Sequence, residues 1–252
     1  MRKVLIAAML LLVVVPAARA GELQVWCPAL VHEAMQELAA DFTRQTGTKV
    51  TVTSGPMGKM VELVQSAAPP PDVVILPPDL MDSLDQQGGV LAGTRVPLAR
   101  VEIGLAVAAG APKPDISSVE RLRAALRGAK AVTYTKPGPP RFSMEAQMVD
   151  AMLKRPDFSG VHATPAPNGS GVGYLAAGNA DMAMQVVPEI LATKGIVLVG
   201  PLPAALGMHI DVAVSVYAHS PDVVDASAFI RYVNQPEVRP IWISQGITKE
   251  EN

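Results

Sequence analysis

Few residues in this sequence are arranged for covalent chemistry. Cys27 is the single cysteine, so no disulfide can form within the chain. Its place at the end of the strand-like stretch Leu23-Gln24-Val25-Trp26 suits a small buried hydrophobe better than a nucleophile. His32, His162, His209 and His219 are scattered without the paired spacing that zinc sites use. The methionines fall on helical faces, as core filler does, rather than in the clusters of a copper site. No metal and no cofactor are therefore expected. His32, Glu33 and Glu145 lie near loops and could move a proton, although each also reads as a helix-surface residue. Ser54, Ser143 and Ser170 precede helical stretches, where a hydroxyl either caps the helix or donates to a bound group.

The elements that must position these groups follow from period and punctuation. Leu23 to Trp26 reads as a strand and Cys27-Pro28-Ala29 as a turn. His32 to Gln45 reads as a helix, with Ala34, Met35, Leu38, Ala39 and Phe42 on one face and Gly47 ending it. Lys49 to Thr53 alternates like a strand, Ser54 to Gly58 is a loop, and Lys59 to Ala67 returns to helical spacing. Asp72 to Leu76 is the unbroken apolar run of a buried parallel strand. This β-α-β-α-β order predicts a doubly wound sheet, whose ligand site lies in the loops at the strands' carboxyl ends. Those loops are Cys27 to Leu30, Ser54 to Lys59 and Leu76 to Asp79. A helix from Pro78 to Gln87 and a long strand near 101 to 109 complete the first half.

A second unit of the same kind follows the loop Gly110 to Asp115. Helices are expected over Val119 to Arg127, Phe142 to Lys154 and Gly171 to Ala177. Strands are expected over Ala131 to Tyr134, Val161 to Thr164, Asp181 to Val187, Ile196 to Val199 and Met208 to Ala218. Two helices, near Pro221 to Val233 and Pro236 to Gln245, end the chain. The long strands near 101 to 109 and 208 to 218 bracket the second unit, which predicts an α/β protein of two doubly wound lobes joined by two hinge strands. Lobe 1 is then discontinuous, 21–105 and 210–252, and lobe 2 is 106–209. Helix N-termini pointing into the cleft from both lobes would favour a small anion.

The N-terminus reads as a removable export signal over residues 1–20. Arg2 and Lys3 precede an apolar run from Val4 to Val15, and Ala18-Arg19-Ala20 supplies a cleavage site before Gly21. The run is too short to span a bilayer comfortably, so no stable membrane insertion is expected of the periplasmic protein. With 49% hydrophobic, 17% charged and 4% aromatic residues, the chain is globular rather than disordered. Its 21 basic and 23 acidic residues create no field for nucleic acid.

Ser54-Gly55-Pro56-Met57-Gly58-Lys59-Met60, with the later segment ending Pro71-Asp72-Val73-Val74-Ile75, resembles the molybdate-binding proteins of ABC importers, which are type II solute-binding proteins. That family typically reads Gly-Ser-Ser-Gly-Lys-Leu and then Gly-Ala-Pro-Ala-Asp-Val-Phe-Ile. The likeness continues at Gly178-Asn179-Ala180-Asp181, and at Val199-Gly200-Pro201-Leu202-Pro203 for a divergent branch. It implies a monomer that captures a small anionic ligand and delivers it to an importer permease. The implied ligand contacts are Ala29, Ser54, Met57, Gly58, Lys59, Arg141, Ser143, Ser170, Gln185 and Val186. Ala29 stands where the family has its first serine, Pro56 and Met57 replace a serine pair, and Val186, beside Gln185, takes the place of a tyrosine. Each donor lost to a desolvated charged ligand weakens binding by about 1.5–3 kcal/mol. Lys59 and Arg141 are the candidate replacements, and a guanidinium matches a carboxylate as well as an oxyanion. The divergent branch also contains periplasmic isomerases of tricarboxylates, specifically aconitate isomerase, so an enzyme on the same fold is the alternative.

Overall fold

The computed structural model describes residues 21–138, 143–167 and 169–249. The first half alternates as its sequence period requires. β1 (Glu22–Pro28) leads through a 3-10 turn at Ala29–Val31 into α1 (His32–Thr46), then β2 (Lys49–Gly55), a 3-10 turn at Met57–Lys59, α2 (Met60–Ser66), β3 (Val73–Leu76) and α3 (Pro78–Gln86). α1 buries Ala34, Met35, Leu38, Ala39 and Phe42, the face its three-four spacing defines. It stops where Gly47 turns left-handed at φ 81°, a conformation without steric penalty only for glycine. β1 runs parallel to β2 and to β3, with Pro28 beside Gly55. The carboxyl ends of β1 and β2 therefore open at one edge.

β4 (Val96–Ala108) joins the two halves. Val96 to Glu102 pairs antiparallel with β9 (His209–Val216), and Arg100 and Val101 pair with β10 (Ile247–Thr248). From Ile103 onward β4 pairs instead with β7 (Met182–Val186) and β8 (Ile196–Pro201). The strand starts well before the expected 101. Pro97 reads as a breaker in sequence, but the register shifts between Pro97 and Ala99, a bulge that accommodates a residue lacking N–H. The chain returns through Leu202 to Met208, where Ile103 donates to the Met208 carbonyl and accepts from the Leu202 N–H, each at 2.9 Å. β9 then lies between β3 and β4.

In the second half, α4 (Val119–Gly128), β5 (Val132–Tyr134), α5 (Met144–Leu153), β6 (Ala163–Pro165) and α6 (Gly171–Ala176) precede β7. β5 runs parallel to both β6 and β7. α5 buries Ala146, Val149 and Met152, while Met144 and Met148 pack at the margin of the core. A helix the sequence did not suggest, α7 (Val187–Ala192), follows β7 directly. The chain ends on α8 (Val223–Val233), α9 (Arg239–Ser244) and β10, which return to the first half. There Phe42 of α1 meets Phe229 edge to face at 5.2 Å, a favoured aromatic geometry. Trp242 is fully buried, and its indole N–H donates to the Val233 carbonyl at 3.2 Å. Among the described residues no helix is long and apolar enough to cross a membrane.

Candidate functional site

Two adjoining cavities lie where the halves face each other. The larger, about 270 Å³, is lined from the first half by Ala29, Leu30, His32, Glu33, Ala34 and Ser54, from α7 by Pro188, Glu189 and Ala192, and from the C-terminal segment by Gln245 and Ile247. The smaller, about 80 Å³, is lined by Pro28, Ala29, Leu30, Gly55, Pro56 and Met57 across from Glu145, Val186 and Glu189. Ala29, Leu30 and Glu189 belong to both. The floor on one side is thus the carboxyl end of β1 and β2, and on the other the carboxyl end of β7. The third loop expected there, Leu76 to Asp79, contributes nothing to either cavity.

The helices that start at this cleft are left open. α1, α2, α5 and α7 carry no side-chain cap hydrogen bond. α3, α6 and α9, which start elsewhere, also lack a side-chain cap, whereas α4 is capped by Ser118 and α8 by Asp222. A helix leaves its first N–H groups without intrahelical acceptors, and its N-terminus carries partial positive charge. Glu33, Glu145 and Glu189 lie in the first turns of α1, α5 and α7, where a carboxylate is favoured by that charge.

The Glu189 carboxyl is strongly perturbed. Burial, and then the negative charge of Glu145, push its carboxyl up to about 7, against a smaller lowering by Gln185. Gln185 is only 1% exposed. Its amide nitrogen donates to Glu189 Oε2 at 2.7 Å and to Thr135 Oγ1 at 2.9 Å, while its oxygen accepts from the Val186 N–H at 2.9 Å. The side chain is therefore spent on holding Glu189 and on tying β7 to the loop after β5. The Ser143 hydroxyl donates to Glu145 Oε1. His32 Nδ1 is buried without a hydrogen-bond partner, on the wall that faces Glu189. Burial pushes the Cys27 thiol up to about 12, which keeps it protonated and unreactive.

Of the residues singled out in sequence, Ala29, Ser54, Met57 and Val186 come together on the cavity walls. Gly58 and Lys59 occupy the exposed 3-10 turn next to Met57. Ser143 stands beside Glu145 and Gln185 behind Glu189. Ser170 lines a separate pocket with Ala166, Gly173, Tyr174 and Ala177, and Arg141 lies outside the described residues. Glu189, Pro188 and Ala192 escaped sequence reasoning because α7 did. The signal was present in Val187-Pro188-Glu189, a proline in a first helical turn followed by an acid. Among the described residues no lysine or arginine lines either cavity.

Comparison with known proteins places this geometry. The model of a family of bacterial extracellular solute-binding proteins matches residues 23–248. An aconitate isomerase from Pseudomonas sp is 29% identical over 174 residues, 67% of this chain and 65% of that enzyme, so the chain spans just under two thirds of its length. The molybdate-binding protein ModA of Azotobacter vinelandii is 33% identical over 79 residues, 31% of each chain. Among solved structures, the substrate-binding domain assigned to a molybdenum ABC transporter of Clostridium difficile superposes with a TM-score of 0.75 at 20% identity, covering 91% of this chain and 99% of that one. That likeness is one of fold: two α/β lobes joined by strands, the type II arrangement.

Proposed function

The chain belongs to the bacterial extracellular solute-binding proteins, and from that membership we propose that it captures a small anion in the periplasm for an ABC importer. The observation that carries the reading is that the first turns of α1, α5 and α7, from both halves of the molecule, line one cleft and carry no side-chain cap. A helix start can offer backbone N–H groups to the oxygens of an oxyanion or a carboxylate, although the 3-10 turns before α1 and α2 already bond the His32 N–H to the Ala29 carbonyl and the Met60 N–H to the Met57 carbonyl. The cleft's volume suits a small solute rather than a peptide or a cofactor. Ala29, Ser54, Met57 and Val186 form its walls, and Gly58, Lys59, Ser143 and, outside the described residues, Arg141 are further candidate contacts. Lobe 1, 21–105 and 210–252, and lobe 2, 106–209, are the units that move, with residues 1–20 as a removed export signal. Contacts made by both lobes exist only in the closed form, so the ligand favours closure.

The test is a thermal-shift panel on the chain from residue 21 with molybdate, tungstate, sulfate, phosphate and di- and tricarboxylates. A ligand bound only by the folded state stabilises it by about 2.7 kcal/mol at a hundredfold excess over its dissociation constant. Concentration-dependent stabilisation by one class of anion supports the reading, and none by any member sinks it.

A second reading has its own observation. The sequence likeness to an aconitate isomerase covers more of the chain than the sequence likeness to ModA does. In addition, a carboxyl held at about 7 faces His32 across the cleft, and a group that titrates near neutrality is suited to moving a proton between carbons. Absorbance-detected conversion of cis- to trans-aconitate, abolished in Glu189→Gln, would establish this enzyme. An inactive wild-type protein that still binds the tricarboxylate leaves capture as the function.

A further inference from the structure

An ionised carboxylate can only accept hydrogen bonds. Glu189 is placed on the seam shared by both cavities, and it cannot turn away, because Gln185 grips Oε2 at 2.7 Å and is itself fixed by Thr135 and the Val186 N–H. The titratable groups that share its cavities are His32 and Glu33 on α1 and Glu145 on α5. Glu145 already accepts the Ser143 hydroxyl. An anion that offers only acceptors would set its oxygen lone pairs against those of Glu189; the described cavity walls carry no lysine or arginine, and a closing Lys59 or Arg141 would attract anions of equal charge alike, so the repulsion still separates them. An anion with a hydroxyl or acid proton of its own would instead make a charge-assisted hydrogen bond to Glu189 while its negative oxygens face the open helix starts.

We propose that Glu189 selects the ligand, admitting anions that carry their own hydrogen-bond donor, a hydroxycarboxylate or a protonated oxyanion, over fully deprotonated anions of the same size and charge. Gln185 is the positioning residue that aims Glu189. This inference rests on the anion-capture reading above and narrows its ligand class.

The experiment is calorimetric titration of the chain from residue 21 at pH 9, well above the value of about 7 that burial and Glu145 set for Glu189, against two matched pairs. Citrate carries one hydroxyl that tricarballylate lacks, and hydrogen phosphate carries an O–H that sulfate, of the same charge and nearly the same size, lacks. The wild-type protein is expected to prefer the donor-bearing member of at least one pair by about tenfold or more. The pair that discriminates tells a hydroxycarboxylate from an oxyanion. In Glu189→Gln, whose amide can donate, that preference is expected to shrink toward parity. Equal affinity within both pairs in the wild type overturns the proposal whether or not the variant folds, as does an undiminished preference in a folded Glu189→Gln. Molybdate titrated alongside separates the two levels. If it binds and the donor-bearing anions do not, anion capture stands and this selection falls; if no anion binds, both fall.

Discussion

Burial and the neighbouring Glu145 hold the Glu189 carboxyl at about 7, whereas an unfolded chain would release that proton near 4.5. The contribution of this group to stability is therefore fully present below about 4.5 and is lost as pH rises through about 7. Glu189→Gln keeps an oxygen for the Gln185 amide and removes the charge. It is expected to match the wild type in urea unfolding at acidic pH and to exceed it at pH 8, by at most about 3 kcal/mol. A difference that does not change with pH would contradict this origin. Ala29, Ser54, Met57 and Val186, which the resemblance to molybdate-binding proteins put forward, lie on the cavity walls at or beside the carboxyl ends of β1, β2 and β7. Sequence reasoning missed Glu189 because the apolar run Met182 to Val187 hides the point at which a strand period becomes a helical one.

At the scale of elements, the second half depends on a close approach between α6 and the end of β5. Gly171 opens α6 and is buried there. A Cβ on it would sit 2.7 Å from both the Cα and the carbonyl carbon of Tyr134 and 3.0 Å from the Thr135 nitrogen. These are backbone atoms and cannot rotate aside. Gly171→Ala must push α6 off the strand, and destabilisation of about 1–3 kcal/mol is expected from the shift of the urea midpoint at unchanged slope. Because Thr135 also anchors Gln185, the same change should loosen the grip on Glu189. Elements with one clean apolar face were legible in the sequence: α1 with its Gly47 stop, and β3 with all four residues buried. α5 was harder to orient, since apolar residues surround it and only packing decides between Met144 and Met148 on one side and Ala146, Val149 and Met152 on the other. β10, a pair of residues held by β4, has no local signal at all.

At the scale of the whole molecule, the alternation of strands and helices made two α/β units visible, and the long strand that joins them was visible too. What could not be read was how β4 changes partners at Glu102 and Ile103, because that depends on contacts distant in sequence. The consequence is a cleft walled by both units, and the central claim is that a small anion binds within it. Ala29 reaches into both cavities, so Ala29→Trp would fill the space between the lobes from an exposed position that leaves the core untouched. The direct measurement is equilibrium titration of the wild type and Ala29→Trp with whichever anion stabilises the folded chain. Binding by the wild type that falls at least about tenfold in the variant, at equal melting temperature without ligand, is the expected result. Equal affinity in both proteins would place the anion elsewhere and contradict the claim.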